Sequence, residues 1–227
     1  IHMNHLISIL VMKDDSNAVS VLEIVGNLVF DIFYPNKCLV CNQLIVRART
    51  SIYVSCLSKW TELQKDDLTG DLAVQNSIDS AYVSWEYGPE LRTVIHFLKY
   101  ENRARLGKEL GLQLANKIHP SIFKCADGII PVPLHKVKLR ERGYNQAFWI
   151  ARGLSGKTGL PVWTNYVQRM KYTETQTVLN RSQRKENMQG AFIVSQNVSG
   201  KTIILVDDVL TTGSTLSSMA VSLKSAG

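Results

Sequence analysis

The sequence predicts an α/β fold, a mostly parallel sheet flanked by helices, on three observations. The run Thr202-Ile203-Ile204-Leu205-Val206 is continuously apolar, as strands buried on both faces of a parallel sheet are. A second short apolar run stopped by prolines, Gly128 through Pro133, reads as another such strand. Helical patterns alternate with these strands, the arrangement that generates βαβ units. A chain of 227 residues, 45% apolar and 20% charged, has ordinary globular composition and length enough for one such domain plus a small appendage.

Taken in order, Ile1, His2 and Met3 read as residue left by a cloning junction and carry no fold information. From 4 to 34, apolar positions such as Val21, Leu22, Val25, Leu28, Val29 and Ile32 recur at helical spacing, predicting an amphipathic helix that ends before Pro35. The early apolar runs are broken by Asp14, Asp15, Glu23 and Asp31, short of the roughly 20 residues that span a bilayer. With no cleavage site after them, a cytosolic protein with reduced thiols is expected.

Residues 35–65 hold three of the four cysteines. Cys38-Leu39-Val40-Cys41 has the spacing of half a zinc ribbon, in which two thiolates from a tight turn share a tetrahedral ion. The second half is incomplete, because three residues before Cys56 stands Tyr53. Zinc on Cys38, Cys41 and Cys56 then needs a fourth ligand from a distant His, from Cys125 or from water. Without metal, the segment rests on packing of Ile52, Val54, Leu57 and Trp60. Cys125, just before a strand, reads as a small buried hydrophobe. The polar, glycine-containing stretch from Asp66 to Ser80 marks a linker, after which residues 80–227 form the main domain.

There, Leu91, Val94, Ile95 and Leu98, then Leu106, Leu110, Leu112 and Leu114, predict two helices interrupted at Lys99 to Arg103. After the Gly128 strand come a helix over 145–158 broken at Gly159, a strand within Pro161 to Gln168, a short one over Ala191 to Val194, and the Thr202 strand. Between Pro131 and Gly190 stand eleven Lys and Arg against three Glu, a positive field that suits polyphosphates or nucleic acid.

The chemistry concentrates in Val206-Asp207-Asp208-Val209-Leu210-Thr211-Thr212-Gly213-Ser214-Thr215. Ligands of open α/β sheets sit beyond the carboxyl ends of strands, which is where Asp207 and Asp208 fall. Thr211, Thr212, Gly213, Ser214 and Thr215 offer hydroxyls, a flexible glycine and backbone N–H groups at a helix start, a nest for phosphate. The carboxylates suit ribose hydroxyls and Mg2+ or its waters, so a ribose 5-phosphate satisfies both halves. The structural alternative is that the acid pair ends a strand and Thr211 or Ser214 caps a helix.

This string resembles the PRPP-binding signature of the type I phosphoribosyltransferases, PRPP being phosphoribosyl pyrophosphate. Three further segments are similar to the ComF family of competence-associated proteins: Tyr87 to Arg92 with Ile95 to Tyr100, Pro131 to His135, and Arg140 to Gln146. The resemblance runs from about Tyr34 to the end of the chain. It implies a phosphoribosyltransferase-type sheet preceded by a small zinc ribbon, from which Tyr53 departs, and a sheet that would continue with a strand beyond Gly227.

The resemblance implies a transferase that moves a phosphoribosyl group from PRPP and releases pyrophosphate with Mg2+. Lys136, Arg140 and Arg142, with Arg181, Arg184 and Lys185, could clamp that leaving group, or each could be a solvated charge. Lys99 belongs to a similar segment but takes no role from it, and His135 reads as structural. No acceptor pocket and no glutaminase nucleophile is legible. The family's name suggests a second class of function, single-stranded DNA binding alongside the competence machinery, with Tyr144, Trp149, Trp163 or Tyr172 as candidate stacking residues.

Overall fold

The computed structural model describes residues 37–45, 50–63, 68–69, 72, 77–171 and 190–227. The helix expected over 4–34, Tyr172 and the loop with Arg181, Arg184 and Lys185 lie outside them.

The two apolar runs pair as expected. Strand β1 (Gly128–Pro131) lies parallel to a strand near the C-terminus, Ile203–Val206, with Gly128 opposite Ile203 and Pro131 opposite Val206. The ladder extends one residue at each end, where Asp127 N–H donates to the Thr202 carbonyl and Val132 N–H to that of Val206, both 2.8 Å. On its other edge β1 bridges Val162, also in parallel, so β1 is central and buried at all four positions. Its residues alternate between two cores. Ile129 joins the first and Ile130 the second, as the two-residue period of a strand requires.

Short helix α1 (Val54–Leu57) follows the cysteine turn. Helices α2 (Pro89–Tyr100) and α3 (Ala104–Lys117) come next, separated by a break at which Asn102 takes φ 50°. Helix α4 (Pro120–Lys124) leads into β1, and α5 (Lys136–Arg142) and α6 (Gln146–Thr158) follow it. Strands β2 (Val167–Arg169) and β3 (Phe192–Val194) pair antiparallel, β4 is the Ile203–Val206 strand, and α7 (Ser214–Ser225) ends the chain.

Helices α3 and α6 cover one face of the sheet at backbone contact. A Cβ built on Gly111 would lie 2.0 Å from the Ile150 carbonyl oxygen, and one on Gly153 2.2 Å from that of Lys108. The other face packs on α7 and the β2–β3 pair through Ile130, Val132, Phe192, Met219 and Leu223.

Several elements differ from expectation. The strand sought within Pro161 to Gln168 is split into a single bridge at Val162 and β2, because the chain bends at Thr164 to Tyr166, where Tyr166 folds back to stack on Trp163 with centroids 4.6 Å apart. Val54 is 72% exposed and does not pack, whereas Ile52 and Trp60 are buried. Cys125 is exposed rather than buried, since it ends α4 on the outer surface. Leu68, Leu72 and Ser77, in the stretch read as a linker, are buried. The cysteine segment shares its core with the main domain, since Cys38, Ile52, Cys56 and Trp60 cluster with Ile95, Leu106, Ile150 and Val206.

Candidate functional site

The parallel ladder sends Asp207 and Asp208 out of the carboxyl end of β4, where the chain turns into α7. The Asp208 N–H donates to Asp207 Oδ1 at 2.9 Å, which ties the Asp207 side chain to the Asp208 backbone. Burial and the adjacent Asp208 charge push Asp207 up to about 7, against the Asp208 N–H and the Lys99 and Arg169 cations, which pull it down. A cavity of about 590 Å³ runs along β4 to the acid pair, its walls including the apolar Leu91, Ile95 and Leu110.

The loop after the acid pair leads directly into α7. Gly213 is the N-cap of α7 at φ 66°, in the left-handed region that favours glycine, and no side chain caps the helix. Thr211 and Ser214 therefore do not act as the caps of the alternative reading. The hydroxyls of Thr212 and Ser214 lie 2.5 Å apart, bonded to each other beside the helix start. Thr215 lies in the first turn, so the leading N–H groups and the positive end of a twelve-residue helix stand close after the two carboxylates in sequence.

Cations gather at the same place. Lys99, in the last turn of α2, pairs with Asp208, Nζ to Oδ2 at 2.7 Å. Its position is held by Tyr144, whose hydroxyl donates to the Leu98 carbonyl. Arg169, on β2, is half-buried, and burial lowers its pKa while the Asp207 charge raises it. Burial, together with the Arg169, Arg142 and Lys99 charges, presses Lys138 below its ordinary 10.5.

Of the clamp residues expected from sequence, Arg142 joins this group. It donates to Gln146 Oε1 at 3.0 Å and lies over the Tyr100 ring at 5.5 Å. Lys136 and Arg140 are exposed, and Arg140 and Arg142 sit in the last turn of α5. His135 is structural, its Nδ1 accepting from Val137 N–H at 3.3 Å as the N-cap of α5. Asn145 fastens the loop to the sheet by donating to the Val132 carbonyl at 2.9 Å while capping α6 through Ala147 N–H.

Lys99, Lys138 and Arg169 are the site residues to which sequence reasoning gave no role. A signal existed for Lys99. It stands four residues after buried Ile95, one helical turn along the same face, where a core-facing stripe should continue apolar. Lys138 and Arg169 carry no comparable mark.

The cysteine site is built separately. The Sγ atoms of Cys38, Cys41 and Cys56 all lie within 4.8 Å of one another, and Cys125 is outside the group. Burial pushes the Cys38 thiol up, but the N–H groups of Cys41, Tyr53 and Val40 outweigh it and bring it down to about 7. Burial and the neighbouring Cys41 and Cys38 sulfurs push Cys56 up to about 11. A cation between these sulfurs would relieve that mutual repulsion, so the donor set fits zinc with three protein ligands. Tyr53 supplies no ligand, since its hydroxyl donates to the Leu44 carbonyl. Hard carboxylate oxygens at Asp207 and Asp208 likewise fit Mg2+.

The candidate stacking residues are packed. Tyr144, Trp149 and Trp163 are half-buried, and Trp163 is covered by Tyr166. The exposed aromatics include Tyr87, with Arg92 over its ring at 5.6 Å, and Tyr100, 62% exposed beneath Arg142. Among the described residues no helix is long and apolar enough to cross a membrane.

Comparison with known proteins agrees with this architecture. Residues 111–227 match the family described as phosphoribosyl transferase domain. The chain is 34% identical over 165 residues to Competence protein F of Haemophilus influenzae, covering 69% of this chain and 71% of that protein. It is 32% identical over 139 residues to DNA utilization protein YhgH of Shigella flexneri and of Escherichia coli, covering 60% of this chain and 61% of each relative. No solved structure matches. With a parallel ladder, an acid pair at the end of β4 and an uncapped helix after it, the chain belongs to the phosphoribosyl transferase domain family, among the relatives of competence protein F.

Proposed function

We propose that the chain binds PRPP with Mg2+ and acts on it as a phosphoribosyltransferase, releasing pyrophosphate. Asp207 and Asp208 take the ribose hydroxyls and the metal, Thr211 to Thr215 take the 5-phosphate, and the cations around the acid pair take the pyrophosphate. The observation that carries the reading is the start of α7, a helix N-terminus with no side-chain cap that opens at left-handed Gly213 just after two carboxylates. Orphan N–H donors beside hard oxygen ligands suit a sugar phosphate better than either half suits another ligand. In such a transfer the departing pyrophosphate gains charge, so fixed cations beside the acid pair lower its energy most. Arg142 is the clamp residue with the best support. Arg181, Arg184 and Lys185 extend the clamp by sequence alone.

Calorimetric titration of PRPP with and without Mg2+ tests this. Mg2+-assisted binding by the parent, lost in a folded Asp207→Asn, Asp208→Asn variant, is expected. A folded parent that binds no PRPP overturns the reading.

A second reading has its own support. Relatives named for competence and DNA utilization, together with exposed Tyr87 and Tyr100 each beneath an arginine, suit single-stranded DNA. DNA affinity that falls steeply with salt and weakens in Tyr100→Ala would carry it. Zinc on Cys38, Cys41 and Cys56 and a cytoplasmic location complete the proposal, the fourth zinc position being open to water.

A further inference from the structure

Lys99 is bonded directly to the acid pair, a contact it must give up before it can serve a pyrophosphate. Its Nζ lies 2.7 Å from Asp208 Oδ2, with the two side chains only 22% and 13% exposed, so this is not a solvated surface pair. The helix end that carries it is fixed, because Leu98 is buried and its carbonyl accepts from Tyr144.

We propose that Lys99 is an exchangeable counter-cation of the acid pair: it holds Asp208 in the ligand-free protein and transfers to pyrophosphate, so that Asp208 accepts a divalent cation only together with a polyphosphate. This rests on the reading that the cleft takes PRPP with Mg2+, and it adds the order of events. An oxygen held by an ammonium is not available to a metal that demands close octahedral contacts, and the ammonium's charge repels the metal's. A pyrophosphate offers Lys99 more charge and more acceptors than one carboxylate does. Arg142 and Lys138 lie near enough for their charges to interact, and Arg169 near enough to act on both Lys138 and Asp207, so a polyanion there finds cations beside Lys99. The device would keep the site from filling with free metal ion before substrate arrives.

The test reads Mn2+, a paramagnetic substitute for Mg2+, by electron paramagnetic resonance with no phosphate ligand present. Lys99→Met is expected to bind Mn2+ at least tenfold tighter than the parent, with the gain abolished when Asp207→Asn and Asp208→Asn are added. Lys99→Arg should behave as the parent. With Mn2+ saturating, inorganic pyrophosphate should bind Lys99→Met at least tenfold more weakly. Equal Mn2+ affinity in parent and Lys99→Met overturns the exchange. Lys99→Gln, which keeps a donor toward Asp208, serves if the methionine variant does not fold and is subject to the same criterion. Because the Mn2+ arm contains no PRPP, a failure of the exchange is distinguishable from a failure of PRPP binding, and the exchange can fail while the PRPP reading stands.

Discussion

At the scale of single residues, environment rather than identity makes this site. Burial and the adjacent Asp208 charge raise Asp207 to about 7. Its charge is set by Asp208, Lys99 and Arg169 acting together. A metal needs the deprotonated form, so Mg2+-dependent PRPP affinity should rise with pH through about 7 and level off above it. Calorimetry from pH 6 to 8.5 checks this, and Asp207→Asn should remove the dependence along with most of the affinity. Gly213 is constrained twice over, by φ 66° and by Leu72, whose Cδ2 would lie 2.4 Å from an added Cβ. Gly213→Ala should therefore destabilise the fold by about 1–2 kcal/mol in denaturant unfolding, since left-handed backbone costs a non-glycine residue about that much. Adding Leu72→Ala removes the clash but not the backbone cost, so it should leave PRPP binding impaired.

At the scale of elements, what the sequence made legible was whatever depends on local pattern. Strands β1 and β4 declared themselves by continuous apolar runs between breakers, and α2, α3 and α6 by helical patterning. The acid pair and the Thr211 to Thr215 loop were legible because they form one contiguous string. Lys99 was not, because its meaning lies in a contact more than a hundred residues away in sequence. The bend at Thr164 to Tyr166, the exposure of Val54 and the exposure of Cys125 were likewise decided by tertiary packing. Glycines in helices look alike in sequence but differ sharply in consequence. Gly153 lies where α6 crosses α3, its added Cβ 2.2 Å from the Lys108 carbonyl oxygen, whereas Gly156 three residues on has nothing within 4 Å. Gly153→Ala should force the helices apart and cost about 1–3 kcal/mol. Gly156→Ala should stabilise α6 by about 0.5–1 kcal/mol, through helix propensity alone. Urea unfolding of the pair checks both signs at once.

At the scale of the whole molecule, the cysteine segment and the sheet domain are joined more closely than a polar connecting stretch implies. Trp60 meets Trp85 edge to face at 5.4 Å, and Glu62 bridges Trp85 just before the start of α2. Glu109 of α3 accepts from the Ser51 N–H at 2.7 Å and from its hydroxyl at 3.1 Å, a second tie across the same boundary. Buried side chains from both regions belong to one core, so melting either exposes the other, the condition for a single cooperative transition. In a Trp149→Phe, Trp163→Phe variant the remaining fluorescence comes from Trp60 and Trp85 at that boundary, while far-ultraviolet circular dichroism reports chiefly on the long helices α2, α3, α6 and α7. The two signals should move together along one urea curve with one midpoint. Stripping metal with a chelator should shift that shared midpoint downward, because a cation bound only by the folded cysteine cluster stabilises everything the cluster is packed against. A fluorescence change well below the circular dichroism transition would mean that the cysteine segment unfolds by itself and that the common core contributes little to holding it.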